Sequence, residues 1–261
     1  MGGHAASPLQ GIGILVTRPR EQAEGLMRDL QGLGARPIPF PALAIQPGRD
    51  TARLADTLAR LADFHLAIFI SPTAAQWGLS SVDVRGSWPP GLAVAAVGKG
   101  TARALRALGV ASVLEPDGGA DSEHLLALPQ LQQMAGKQVV IFRGEGGREV
   151  LADTLRARGA QVTYAECYRR GLPDRADPAP ILALFKAGDI QAVTAYSAET
   201  LDNLFHLLGP AGQGFLRETP LFVPHPRIAE RARQLGIHTI VVDHAEPGQL
   251  IPSLVKYFAH D

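Results

Sequence analysis

The chain has 261 residues, 46% of them hydrophobic and 19% charged, which is long for one globular domain and comfortable for two. Equal numbers of basic and acidic residues, 25 each, argue against a general nucleic-acid binder and leave room only for a local basic site. A single cysteine, Cys167, excludes an internal disulfide and a thiolate zinc cluster and fits a reducing compartment.

Residues Met1 to Gln10 lack the basic and apolar regions of a signal peptide and read as a disordered tail. No apolar run approaches the roughly 20 residues that span a bilayer, so a cytoplasmic chain without membrane attachment is expected. The segment 14–35, ILVTRPREQAEGLMRDLQGLGA, is an apolar strand, a polar turn and an amphipathic helix closed by glycine. Thr17 stands where it would cap that helix, with Arg18 and Arg20 at the strand end. Arg36-Pro37-Ile38-Pro39-Phe40-Pro41 then opens a proline-pinned extended stretch that excludes helix and central strand.

Ala67 to Ile70 is the next apolar strand, stopping at Ser71, an N-cap with Pro72 and Thr73 in the first turn. The segment 92–110 repeats the theme, leaving its strand through Gly98-Lys99-Gly100-Thr101. A short strand, Ser112 to Leu114, and a helix from Asp121 to Leu128, with Ser122 in its first turn, complete this half.

The segment 139–160, VVIFRGEGGREVLADTLRARGA, matches 14–35 without a gap: Arg18 falls on Arg143 and Gly34-Ala35 on Gly159-Ala160, an offset of 125. Its turn, Arg143-Gly144-Glu145-Gly146-Gly147-Arg148, would offer backbone N–H groups to an anion. It lacks the Gly-Lys-Ser/Thr ending of a Walker loop and is not GxGxxG. The extended stretch Gln161 to Arg170 follows. The strand Ala192 to Ala195 then leads through Tyr196 into the N-cap Ser197. Segment 221–237 pairs with 92–110, placing Pro224-His225-Pro226-Arg227 at its strand end, before a strand Thr239 to Val242 and a helix Pro247 to Tyr257.

The offset drifts by only two residues along the match, which suggests a duplicated α/β domain rather than a solenoid. Continuous Val/Ile/Leu strands alternating with amphipathic helices predict two flavodoxin-like or Rossmann-like parallel-sheet domains. The stretches 37–47 and 161–171 read as two interdomain connector strands. Residues 11–36 then join 172–261 in one discontinuous domain, and 48–160 form the other.

Ligands of open parallel sheets bind beyond the carboxyl ends of the strands. The polar groups expected there are Thr17, Arg18, Arg20, Ser71, Thr73, Lys99, Thr101, Ser122, Arg143, Gly144, Arg148, Tyr196, Ser197, His225 and Arg227. Capping alone would explain the serines, and solvation the arginines. Gathered in one place, they would suit a flexible ligand with several carboxylates. The eight histidines show no metal-binding spacing, Cys167 has no obvious histidine partner, and no G-x-S-x-G elbow occurs.

Together these motifs resemble the uroporphyrinogen-III synthase family over residues 11–258. The resemblance rests on Thr17-Arg18-Pro19, Ser71-Pro72, Ala96-Val97-Gly98 with Thr101-Ala102, Ser122-Glu123, Arg143-Gly144 with Gly146-Gly147-Arg148, and Tyr168-Arg169. Departures occur at Thr73, where the family often has asparagine, and at Pro224 to Arg227, where glycine and threonine are usual. The resemblance implies two domains joined by two strands, with the active site between them. It implies cyclisation of hydroxymethylbilane with inversion of ring D, no metal and no organic cofactor. It also implies a small-molecule substrate; the charge balance speaks against nucleic acid, the lack of an unexplained interface stripe makes a monomer the default, and transient contact with the preceding synthase is left open. Tyr168 is the expected general acid, against the plainer role of a packing tyrosine. A two-lobed cytoplasmic small-molecule binder or sensor is the alternative, and a nucleotide enzyme is disfavoured by the missing phosphate fingerprint.

Overall fold

The computed structural model describes residues 7–83, 88–119, 121–242 and 250–259. In chain order it runs β1 (Gly13–Val16), α1 (Arg20–Gly32), β2 (Arg36–Pro39), β3 (Ala44–Pro47), α2 (Thr51–Ala59), β4 (Leu66–Phe69), α3 (Pro72–Asp83), β5 (Ala93–Ala96) and α4 (Lys99–Ala107). The chain continues through α5 (Ser122–Leu126), β6 (Gln138–Gly144), α6 (Val150–Ala157), β7 (Gln161–Gly171) and α7 (Ala179–Lys186). It ends with β8 (Ala192–Thr194), α8 (Ala198–Glu218), β9 (Leu221–Val223), α9 (Pro226–Gln234), β10 (Ile240–Val242) and α10 (Ile251–Phe258). Two compact units result, Met1–Ala44 with Gly171–Asp261, and Ile45–Arg170.

The first unit holds a sheet of order β10-β9-β8-β1-β2, all its pairs parallel. Counted within the unit this is 2-1-3-4-5, the flavodoxin-like order, and its topological switch point lies between β1 and β8. Alternation sends Ile14 and Val16 to one core with Leu30, Phe222 and Leu254, and Leu15 to another with Val193, Leu204 and Leu221. Both faces are therefore covered, as a parallel sheet requires. Pro37 and Pro39 sit on β2, an edge strand, where a missing N–H is tolerated. Helix α8 is two helices joined at a kink, because Gly209 has φ +61° and Pro210 cannot continue the ladder.

The second unit holds a sheet of order β3-β7-β6-β4-β5, with parallel pairs β7–β6, β6–β4 and β4–β5. Val139 and Ile141 face one core with Leu125, Leu131 and Leu155. Val140 and Phe142 face the other, where Phe142 stacks on Phe69 at 4.5 Å between ring centroids. The switch point is between β6 and β4.

Four expectations change. Leu9 is fully buried and its N–H donates to the Leu33 carbonyl, so the end of the expected tail packs on the first unit, while residues 1–6 lie outside the described residues. The stretch 161–171 is a full strand paired along β6, and the chain passes between units within β3 and at the end of β7. A connector and a sheet strand have the same extended composition, and only the non-local partner separates them. Ser112 to Leu114 contributes a single bridge, Leu114 to Ala95, rather than a strand. The last helix starts at Ile251, and the expected start at Pro247 lies outside the described residues. Among the described residues no helix is long and apolar enough to cross a membrane.

Candidate functional site

In the first unit the carboxyl ends of β1 and β8 bring Thr17, Arg18, Tyr196 and Ser197 to the switch point. The capping role expected of Thr17 is corrected. Its hydroxyl is fully buried and donates to the Thr194 carbonyl at 2.6 Å, tying β1 to β8, and no side chain caps α1. Arg18 is half-buried, with its guanidinium 4.3 Å from the centre of the Tyr196 ring. Among the described residues no carboxylate is paired with it. Arg20, the first residue of α1, is exposed.

Ser197 caps α8, accepting from the Thr200 N–H at 3.0 Å. His225 caps α9 in a similar manner: its Nδ1 accepts from the Arg227 N–H at 3.1 Å, while the Arg227 side chain is exposed. These helix starts line the same edge of the sheet.

In the second unit Ser71 follows β4 and caps α3, accepting from the Ala74 N–H at 3.0 Å. Its Oγ lies 3.3 Å from the Tyr168 hydroxyl. Tyr168 is 2% exposed and sits in the core beneath the end of β6. Gly144 is required there, because a Cβ would lie 2.7 Å from the tyrosine ring. Thr73 is half-buried, Thr101 is buried in α4, and Lys99 is exposed at the start of that helix.

Arg143 is 3% exposed and points inward. Its Nε donates to the Gly144 carbonyl at 3.2 Å, one terminal nitrogen donates to the Gly146 carbonyl, and the other pairs with Glu149 at 3.1 Å. The guanidinium also lies over the Tyr164 ring at 4.5 Å, and the Tyr164 hydroxyl donates to Glu149. That hydrogen bond, helped by Arg143, holds the Glu149 carboxyl below its usual range. Burial and the same carboxylate raise the Tyr164 hydroxyl. Arg143, expected among the ligand-binding groups, is thus engaged within its own turn while also lining the cavity at this end of the sheet.

A cavity of about 270 Å³ opens at this end of the sheet, lined by Ile70, Val97, Ser122, Arg143, Arg148 and Tyr164 among others. Asp121 caps the short helix α5 by accepting from the His124 N–H at 2.9 Å, and that bond, with a second one to the His124 ring, lowers the Asp121 carboxyl. A larger cavity, about 630 Å³, lies at the amino ends of β4 and β5 between His65, Leu92 and Met134. The smaller one occupies the end where parallel sheets present helix N-termini, and it is the candidate site. Sequence reasoning placed Asp121 at this helix start and missed the parts played by Glu149 and Tyr164. The only signal in the chain was an acid six residues after Arg143.

Cys167 is buried and its thiol is pushed up to about 12 by desolvation, which leaves it a packing residue. Among the described residues no three His, Cys, Asp or Glu side chains gather as a metal centre would require.

Residues 24–251 match the family profile described as uroporphyrinogen-III synthase HemD. The uroporphyrinogen-III synthase of Escherichia coli K12 is 37% identical over 246 residues, 93% of this chain and the whole of that protein. That of Salmonella typhimurium LT2 is 35% identical over the same span. The fold is shared with uroporphyrinogen III synthase structures from Thermus thermophilus (TM-score 0.59, 19% identity) and Helicobacter pylori 26695 (TM-score 0.59, 14% identity). Each comparison spans 96% of this chain and the whole of the other. A match of this length, over the two sheets whose carboxyl ends carry the motifs, establishes that the chain belongs to the uroporphyrinogen-III synthase family.

Proposed function

We propose that the protein closes hydroxymethylbilane into uroporphyrinogen III, with loss of water and inversion of ring D. The observation that carries this reading is the set of cationic and hydroxyl groups at the switch points of the two sheets. Arg18 beside Tyr196 is in one unit, and Arg148, Ser71 and Ser122 are in the other. They suit the acetate and propionate arms of a linear tetrapyrrole. Positioning and charge stabilisation are the main demands of this chemistry.

The terminal hydroxyl of the substrate takes a proton and departs as water, while the pyrrole nitrogen stabilises the carbocation left behind. Ring D attacks through its substituted carbon to give a spiro intermediate. That intermediate fragments at the bond between ring D and the methylene it shares with ring C, and the unsubstituted carbon of the reversed ring D then attacks the freed methylene, closing the macrocycle and releasing a proton. Tyr168 is our candidate for the first proton donor, since its hydroxyl adjoins Ser71 at the end of β4. The reading carries with it a hydro-lyase activity, a cytoplasmic location and a monomeric enzyme.

A coupled assay tests it. Hydroxymethylbilane is generated in place by its own synthase, the protein is added, and the oxidised porphyrins are separated by isomer. Type III product above the spontaneous type I background is expected. Type I alone from folded protein would reject the reading and favour a binding or sensor role. Tyr168→Phe should lower kcat about 100-fold if the hydroxyl is the acid, and near-normal kcat would remove it from that role.

A further inference from the structure

Arg143 invites assignment as a substrate-binding cation, yet its surroundings give it different work. The turn that follows it, Gly144 to Glu149, is folded around its guanidinium. The Gly144 and Gly146 carbonyls both accept from it, and Glu149 closes the far side as an ion pair. Gly146 and Gly147 take φ of +72° and +110°, conformations that favour glycine. A Cβ on Gly147 would lie 2.7 Å from an Arg143 terminal nitrogen, so the wrap is tight. The turn is held outside as well: Glu145 donates its N–H to the Tyr168 carbonyl at 2.8 Å and its carboxylate pairs with Arg49 at 3.0 Å.

A trans peptide points its C=O and N–H in opposite directions. With the Gly146 carbonyl drawn in to Arg143, the Gly147 N–H is aimed away from the guanidinium. Arg148, the next residue, is exposed and lines the cavity of about 270 Å³. Fork geometry is needed for this arrangement. Three nitrogens in one plane reach two carbonyls and a carboxylate, while the flat face stacks on Tyr164. A lysine would keep the charge and lose the fork.

We infer that Arg143, with Glu149 and Tyr164, is a positioning group: it fixes the Gly144–Glu149 turn so that the Gly147 N–H and the Arg148 side chain receive a carboxylate arm of the substrate. The inference rests on the proposed synthase reading for the identity of that carboxylate, but not for the wiring of the turn.

Opposite signs make it testable. If Arg143 bound substrate directly, Glu149 would compete with the substrate for it. Glu149→Gln would then tighten substrate binding, and Arg143→Lys would keep much of it. As a positioning group, Arg143→Lys and Arg143→Gln should each raise KM for hydroxymethylbilane about ten-fold with kcat within about two-fold. Glu149→Gln, an exposed change, should raise KM about three-fold, and adding it to Arg143→Gln should cost little more. A fall in KM for Glu149→Gln, or near-normal KM for Arg143→Lys, would overturn the assignment. Amide hydrogen exchange separates failure of the wiring from failure of the synthase reading. Arg143→Gln should speed exchange at Glu145 to Arg148 at least ten-fold relative to the strands, whatever reaction the protein catalyses. Unchanged exchange there would overturn the wiring directly.

Discussion

The turn after β1 and the turn after β6 start from the same place in their sheets and from residues in register along the sequence, yet they handle an arginine in opposite ways. Arg18 lies on the Tyr196 ring at 4.3 Å with no paired carboxylate among the described residues, half open to solvent. Arg143 lies on the Tyr164 ring at 4.5 Å and is also hydrogen-bonded to its own turn and to Glu149, out of solvent. Stacking on a tyrosine is shared and acid pairing is not. The same cation therefore has no acid partner among the described residues in one unit and is tied to its own turn in the other.

The residue before each arginine differs too, and gives the sharpest test of the comparison. Phe142 fills the second unit's core against Phe69, whereas Thr17 links two strands through one buried hydrogen bond. Phe142→Ala should cost about 3–5 kcal/mol in a denaturant titration. Thr17→Val, which leaves the Thr194 carbonyl short of a donor, should cost about 1–3 kcal/mol. Equal losses would mean that the two strand ends are packed alike. At the next level, Arg18→Ala should raise KM for hydroxymethylbilane about ten-fold, the size of one charge-assisted hydrogen bond of roughly 1.5 kcal/mol. Its thermal midpoint should barely move. A large drop in that midpoint would place Arg18 in the same supporting role as Arg143.

The smallest expected effect concerns Cys167. Its thiol is pushed up to about 12 in the fold, against roughly 8.5 when unfolded. The folded state therefore holds the proton more tightly. Stability is unaffected below the unfolded value and falls as pH rises from there towards 12. An aromatic disulfide reagent at pH 8 should leave native protein unmodified and label it fully in denaturant. Rapid labelling of native protein would show the core of the second unit opening.

Much of this was legible in the chain. Strands of continuous Val, Ile and Ala announce themselves, and Ser71 and Ser197 cap helices where the pattern put them. The prolines at 37 and 39 correctly kept β2 off the centre of its sheet. What escaped was non-local. Thr17 has a capping residue's position, but the Thr194 carbonyl that takes its hydroxyl is 177 residues away. Arg143 has a ligand-binding position, but its direction is set by Glu149 and by Tyr164 on the next strand. The 161–171 stretch has the composition of a connector, and only its pairing with β6 makes it a strand.

Ligand held at the carboxyl ends of the sheets would leave its mark in amide hydrogen exchange measured with and without uroporphyrinogen III under anaerobic conditions. Slowed exchange is expected at Arg18, at Tyr196 to Ala198 and at Gly146 to Arg148. Protection confined to His65, Leu92 to Val94 and Lys137, around the larger cavity at the amino ends, would contradict that placement.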